Sequence, residues 1–124
     1  MPANQALRAF KAELFKALAH PTRIHIVDLL RTSEKTVSEL QLSLGIESSS
    51  VSQQLGVLRG KHIVEGRKVG TSVHYRVTDP NVFALLDAAR QIFSNQLIDL
   101  QSMAVDDALE VGDAGFPSAP PSVS

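Results

Sequence analysis

The 124-residue chain contains no cysteine and no tryptophan, and only one tyrosine and five phenylalanines. Without thiols there is no disulfide framework, no thiolate zinc site and no thiol redox switch. Long apolar runs are also missing: a charged or polar residue interrupts each one well short of the ~20 residues that a membrane-spanning helix needs. The start, Met1-Pro2-Ala3-Asn4-Gln5, lacks a basic region followed by an apolar core. No secretory signal is read there, and the expected setting is cytoplasmic with no membrane partner. No nucleophile–base pair, phosphate-binding glycine loop or metal triad is visible, so an enzyme is not expected. What is present is ordinary globular usage, 44% hydrophobic and 20% charged, in a length suited to one domain.

The net charge of −1 conceals an uneven distribution. Residues 102–124 hold Asp106, Asp107, Glu110 and Asp113 and no Lys or Arg, which leaves residues 1–101 with twelve cations against nine anions. Within that part, residues 59–76 carry Arg59, Lys61, Arg67, Lys68 and Arg76 against Glu65 alone. A compact basic segment is either a nucleic-acid footprint or a solvated loop, and charge by itself does not separate the two.

Periodicity orders the chain. Leu7, Phe10, Leu14 and Leu18 recur at three- and four-residue spacing, which predicts an amphipathic helix over 4–19. His20-Pro21 stops it, since proline disfavours helical geometry in the residue before it. Pro21 then suits the first turn of a second helix, reaching about Arg31. Thr36 or Ser38 opens a short third helix with Val37, Leu40 and Leu44 inward, closed by Gly45.

The following stretch is the most informative. In Ser48-Ser49-Ser50-Val51-Ser52-Gln53-Gln54-Leu55-Gly56-Val57-Leu58-Arg59, the residues Val51, Leu55 and Leu58 form one apolar stripe. The remaining surface is mostly hydroxyls and amides with scarcely any charge. A purely structural surface helix favours Glu, Lys and Ala over Ser. Short hydrogen-bonding groups fit a groove and do not repel phosphate, although one serine of the cluster is expected to serve as an N-cap. Beyond Lys61-His62 the period changes to that of strands, over 63–69 and 72–77, joined by a tight turn at Gly70-Thr71. A final helix runs from Asp79-Pro80-Asn81 to about Leu100. Residues 102–124 are expected to form an acidic, then Pro- and Ser-rich, disordered tail after a folded domain of residues 1–101.

The expected fold is therefore mainly α with one small β-hairpin, in the order α-α-α-α-β-β-α: a winged helix-turn-helix. A helix of this kind enters the major groove, where its side chains reach base edges. The hairpin carries Arg and Lys to phosphates. Ser49, Ser50, Ser52, Gln53 and Gln54 are the candidates for bases and nearby phosphates. Arg59, Lys61, Arg67, Lys68 and Thr71 are the candidates for backbone contacts.

Four motifs occur together in order. They are Leu18-Ala19-His20-Pro21-Thr22-Arg23-Ile24, Val37-Ser38-Glu39-Leu40, Ser49-x-Val51-Ser52-x-Gln54-Leu55-x-Val57-Leu58, and Gly70-x-x-x-x-Tyr75. Over about residues 7–100 the chain resembles the ArsR/SmtB family of bacterial repressors. The resemblance implies a homodimeric winged-helix repressor that releases operator DNA when an inducer binds. Gly56 departs from related helices, which often carry a basic residue there. The last helix is apolar around most of its circumference, which calls for a second burial partner. Dimerisation through the first and last helices is expected, with Leu7, Phe10, Leu14, Leu86, Ile92 and Phe93 at the interface. Such a dimer places two recognition helices on a near-palindrome.

The family's sensor sites bear on the signal. The thiol route is closed. The positions that the resemblance assigns to a zinc site on the last helix are Asp79, Asn81, Ile92 and Asn95, of which only the aspartate is a usual ligand. His20, His25, His62 and His74 leave open a non-standard nickel or cobalt site with Asp or Glu. The other readings are a small-molecule inducer, or a separate sensor protein for which the acidic tail is a docking segment. The rival from another class is a winged-helix protein-interaction module with little DNA affinity.

Overall fold

The computed structural model describes the backbone of residues 3–111 and the side chains of residues 3–106. The elements are α1 (Ala3–Leu18), α2 (Pro21–Leu29), α3 (Val37–Leu44), α4 (Ser48–Gly60), β1 (Val64–Val69), β2 (Ser72–Val77) and α5 (Asn81–Val111), in the expected order. A first unit ends at Phe83 and a second begins at Ala84, within α5. The first unit holds the whole of the described core. That core includes Ile26 and Val27 of α2, Leu40 of α3, Val51, Leu55 and Leu58 of α4, and Ile63, all at 1% exposure or less. No described helix is long and apolar enough to cross a membrane.

Local chemistry explains the breaks between helices. Pro21 takes the first turn of α2, where its missing N–H costs nothing, and His20 is the N-cap, its Nδ1 accepting from the Thr22 N–H at 3.1 Å. Thr36 and Glu39 form a reciprocal capping box: Thr36 Oγ1 accepts from the Glu39 N–H at 3.2 Å, and Glu39 Oε1 accepts from the Thr36 N–H at 3.0 Å. Gly45 ends α3 at φ 67°, a left-handed conformation that glycine adopts without Cβ strain. These are the turns of a helix-turn-helix, with α3 and α4 packed against each other and both against α2.

The hairpin pairs Val64 with Val77 through to Val69 with Ser72, leaving Gly70 and Thr71 as a two-residue loop. Gly70 at φ 62° in the first loop position suits the twist of the flanking strands. Only Val64 of β1 is buried, so the hairpin projects from the core as a wing. Its root is fastened twice. Lys35 and Tyr75 exchange backbone hydrogen bonds of 3.1 and 2.8 Å, and Thr78 Oγ1 donates to the carbonyls of His62 and Ile63 at 2.6 and 3.2 Å.

Two expectations need correction. No serine caps α4: its N-cap is Glu47, without a side-chain cap hydrogen bond, and Ser48, Ser49 and Ser50 all lie inside the helix. The last helix does not stop near Leu100 but continues to Val111. Residues 101–111 contain neither glycine nor proline, and helix formers such as Gln101, Met103, Ala104, Ala108, Leu109 and Glu110 let it propagate through Val111. The tail read from 102 onward therefore begins as helix, and the Pro- and Ser-rich part from 112 lies outside the described residues.

Candidate nucleic-acid interface

Burial fixes which way α4 faces. Val51, Leu55 and Leu58 point into the core, so the opposite face carries Ser49, Gln53, Gly56 and Gly60, all exposed. A Cβ placed on Gly56 or Gly60 meets no atom within 4 Å, so this face is bare backbone flanked by short polar groups. Ser52 is exposed on one flank, while Ser50 and Gln54 are half-buried on the other, next to Val57 at 39% exposure. No side chain caps the first turn; the Ser50 N–H donates to the Glu47 carbonyl at 3.0 Å, and the N–H groups of Ser48 and Ser49 and the positive end of the helix dipole are open to an anion.

Gln53 and Gln54 are adjacent in sequence but differ in surroundings. Gln53 has no hydrogen-bond partner among the described residues. Gln54 Oε1 accepts from Arg23 Nη1 at 3.0 Å. Arg23 is itself anchored: its Nε donates to the Ala17 carbonyl at 2.6 Å and its Nη2 to the Lys16 carbonyl at 3.4 Å, capping the C-terminus of α1.

The basic segment is less free than its composition suggests. Lys61 pairs with Glu13 of α1 at 3.0 Å, Arg67 with Glu34 at 2.6 Å, and Arg76 with Glu65 on the neighbouring strand. The hydrogen bond from Arg67 holds the Glu34 carboxyl below the usual carboxylate range, and the same bond raises Arg67. Lys61 does the same to Glu13 by its hydrogen bond, and Glu39 is lowered first by the backbone N–H of Thr36. Arg59 and Lys68 are exposed and make no ion pair among the described residues, and Thr71 is exposed at the wing tip.

The structure thus brings Ser49, Ser52 and Gln53 onto one open face, with Arg59 at its end and Lys68 and Thr71 on the wing. Ser50 and Gln54 stand at the edge, and Lys61 and Arg67 are engaged by carboxylates. Sequence reasoning passed over Val57, whose exposure a helical wheel reveals, and Arg23, Glu13 and Glu34, whose partners lie 31 to 48 positions away and leave no local signal.

Apolar exposure is concentrated on two helices. On α1, Leu7 and Phe10 are 51% and 63% exposed and Leu14 is half-buried. On α5, Ile92 and Phe93 are 59% and 37% exposed and Leu86 is half-buried.

The positions read as a family zinc site do not fit a metal. Ile92 has no donor atom, Asn95 Oδ1 accepts from Gln91 Nε2 at 2.9 Å, and Asp79 Oδ1 accepts from the Asn81 N–H at 2.9 Å at the start of α5. Among the described residues no three His, Asp or Glu side chains converge as metal ligands would.

Comparison with known proteins agrees with this architecture. Residues 20–65 match the model of the bacterial regulatory protein, arsR family. The HTH-type transcriptional regulator Rv0081 of Mycobacterium tuberculosis is 41% identical over 104 residues, covering 83% of this chain and 91% of that protein. Its crystal structure superposes with a TM-score of 0.69 over 75% of this chain and 94% of that one, at 44% identity. The biofilm growth-associated repressor of Xylella fastidiosa is 41% identical over 85 residues, 68% of this chain and 75% of that protein. The homodimeric winged helix-turn-helix DNA-binding domain of Mb0332 from Mycobacterium bovis gives a TM-score of 0.71 at 29% identity, covering 78% and 90% of the two chains. The chain belongs to the arsR family of bacterial regulatory proteins and is a DNA-binding transcriptional regulator.

Proposed function

We propose that the chain is a homodimeric repressor that reads a near-palindromic operator through α4 and releases it on an intracellular signal. One observation carries the reading. The face of α4 opposite its core stripe is an uncharged surface of Ser49, Gln53, Gly56 and Gly60, with Ser52 beside it. An α-helix of this kind fits the major groove, and hydroxyls and amides reach base edges there. Ser49, Ser52 and Gln53 are the base readers, with Ser50 and Gln54 at the edge of the contact. Arg59, Lys68 and Thr71 contact the backbone, and Lys61 and Arg67 do so to the extent that their carboxylate partners permit.

Dimerisation is supported by the exposed apolar residues Leu7, Phe10, Ile92 and Phe93, with Leu14 and Leu86 half-buried on the same two helices, and by the homodimeric state of the Mycobacterium bovis relative. The releasing signal is a small molecule or a separate sensor protein. A nickel or cobalt site built from the histidines has no converging ligand set among the described residues to support it.

The test is binding of the purified chain to its own upstream DNA and to random duplex across a salt series, with light scattering to count subunits. Specific binding by a dimer supports the reading. Equal, weak binding to both duplexes refutes it and favours the protein-interaction module, which the pairing of Lys61, Arg67 and Arg76 with carboxylates would suit. Addition of nickel or cobalt without any change in operator affinity disposes of the metal-responsive variant.

A further inference from the structure

An arginine guanidinium has five N–H donors and no acceptor, so the atom of Gln54 facing Arg23 at 3.0 Å is its oxygen. That guanidinium is not free to follow the glutamine. Two carbonyls at the end of α1, those of Ala17 and Lys16, hold it in place. Gln54 therefore meets a fixed donor, and its NH2 group is directed away from it.

This orientation restricts what the side chain can recognise. An amide reads adenine with both of its ends, the oxygen accepting from N6 while the nitrogen donates to N7. Gln53, exposed and without a partner among the described residues, keeps both ends. Gln54 has one lone pair of its oxygen committed to a fixed partner, which sets the orientation of the amide and leaves its NH2 as the free end.

We infer that Arg23 is a specificity-determining positioning residue: by holding the Gln54 oxygen it turns the amide NH2 outward as a donor to guanine O6 or thymine O4, where adenine presents its own N6 donor, and leaves two-ended adenine recognition to Gln53. The inference rests on the reading that α4 lies in the major groove, and adds to it the division of labour between two neighbouring glutamines.

The experiment is selection of duplexes from a randomised library by the full-length protein, comparing wild type with Arg23→Leu, Arg23→Lys, Gln53→Ala and Gln54→Ala. In wild type, the position lost in Gln53→Ala is adenine, and the position lost in Gln54→Ala is guanine or thymine. Arg23→Leu frees the Gln54 oxygen, so adenine gains at least about fivefold at that second position, the lower end of what a bidentate contact discriminates, while the Gln53 position is unchanged. Arg23→Lys keeps a donor facing the oxygen and restores the wild-type preference. A role confined to capping α1 lowers the melting temperature of both variants without altering either preference.

Gln54→Glu keeps the test decisive if Arg23→Leu does not fold. Its carboxylate still pairs with Arg23 but has no donor to offer, so affinity for the selected duplex falls about tenfold or more relative to random duplex. Adenine already preferred at the Gln54 position in wild type, an unchanged preference in a cooperatively melting Arg23→Leu, or an unchanged specific-to-random ratio in Gln54→Glu each overturns the inference. Failure of the wild type to enrich any duplex overturns the underlying reading instead.

Discussion

The ion pairs along the basic segment make a quantitative forecast for the salt dependence of DNA binding. Each phosphate neutralised contributes about −0.9 to the slope of log K against log salt. If all five cations of residues 59–76 met phosphates, a dimer would neutralise ten and the slope would be about −9. Three of the five face carboxylates: Lys61 with Glu13, Arg67 with Glu34 and Arg76 with Glu65. A phosphate arriving at one of these also meets the carboxylate, so its net gain in neutralisation is small. Arg59 and Lys68 remain, four per dimer, and the slope is about −3.6. Between 50 and 200 mM salt, affinity then falls roughly 150-fold, against roughly 250,000-fold for the full set. The perturbation is Glu34→Gln, which frees Arg67 in both subunits and steepens the slope by about 1.8 while tightening binding at low salt. Fluorescence anisotropy on one labelled duplex measures both. A wild-type slope near −9, or a slope that Glu34→Gln does not change, refutes the argument that these pairs withhold the wing from phosphate.

Three further outcomes follow from the same geometry. Gln53→Ala is expected to relax base preference by about 1–3 kcal/mol at one position, whereas Lys68→Ala weakens binding to all duplexes alike and flattens the salt slope by about 2 per dimer; competition assays against specific and random DNA distinguish them. His62 sits at φ 59° just past α4, a left-handed conformation costing a side-chain-bearing residue roughly 1 kcal/mol, so His62→Gly is expected to stabilise the fold by about that amount and raise the melting temperature by a few degrees. The carboxyls of Glu13, Glu34 and Glu39 are all lowered by hydrogen bonds in the folded chain, so the unfolded chain takes up their protons first on acidification. Their contribution to stability is complete above the ordinary glutamate range and is lost as pH falls through the lowered folded values. Denaturation midpoints are therefore flat in this respect from pH 8 to 6 and fall in acid, and Glu39→Gln reduces the acid-side dependence.

Much of the fold was legible because its decisive signals are local. His20-Pro21, Thr36 (one of two residues able to open α3), Gly45 and the Gly70-Thr71 turn each act within four residues, and each marks a break between elements that the structure shows. The Val51, Leu55 and Leu58 stripe likewise fixed which side of α4 is core and which is open. Where local reasoning went astray, an alternative of similar local quality was available: any of three serines could have capped α4, yet the chain turns at Glu47. A stop near Leu100 is the expectation from the chain, yet good helix formers carry α5 eleven residues further, to Val111.

The amino-acid sequence alone determined the element order, the helix-turn-helix, the wing and the uncharged character of the reading helix, since these depend on periodicity and turn chemistry along the chain. Tertiary structure decided how its charges and amides are engaged. Lys61 meets Glu13, Arg67 meets Glu34 and Arg23 meets Gln54 only after α1, α2, α4 and the wing have come together. Composition records a cation as a charge, whereas the fold determines whether that charge faces a carboxylate or is left open to DNA. Likewise, the helical pattern sets Gln53 opposite the core stripe and Gln54 on its flank, but only the packing of α2 beside α4 brings Arg23 to the Gln54 oxygen.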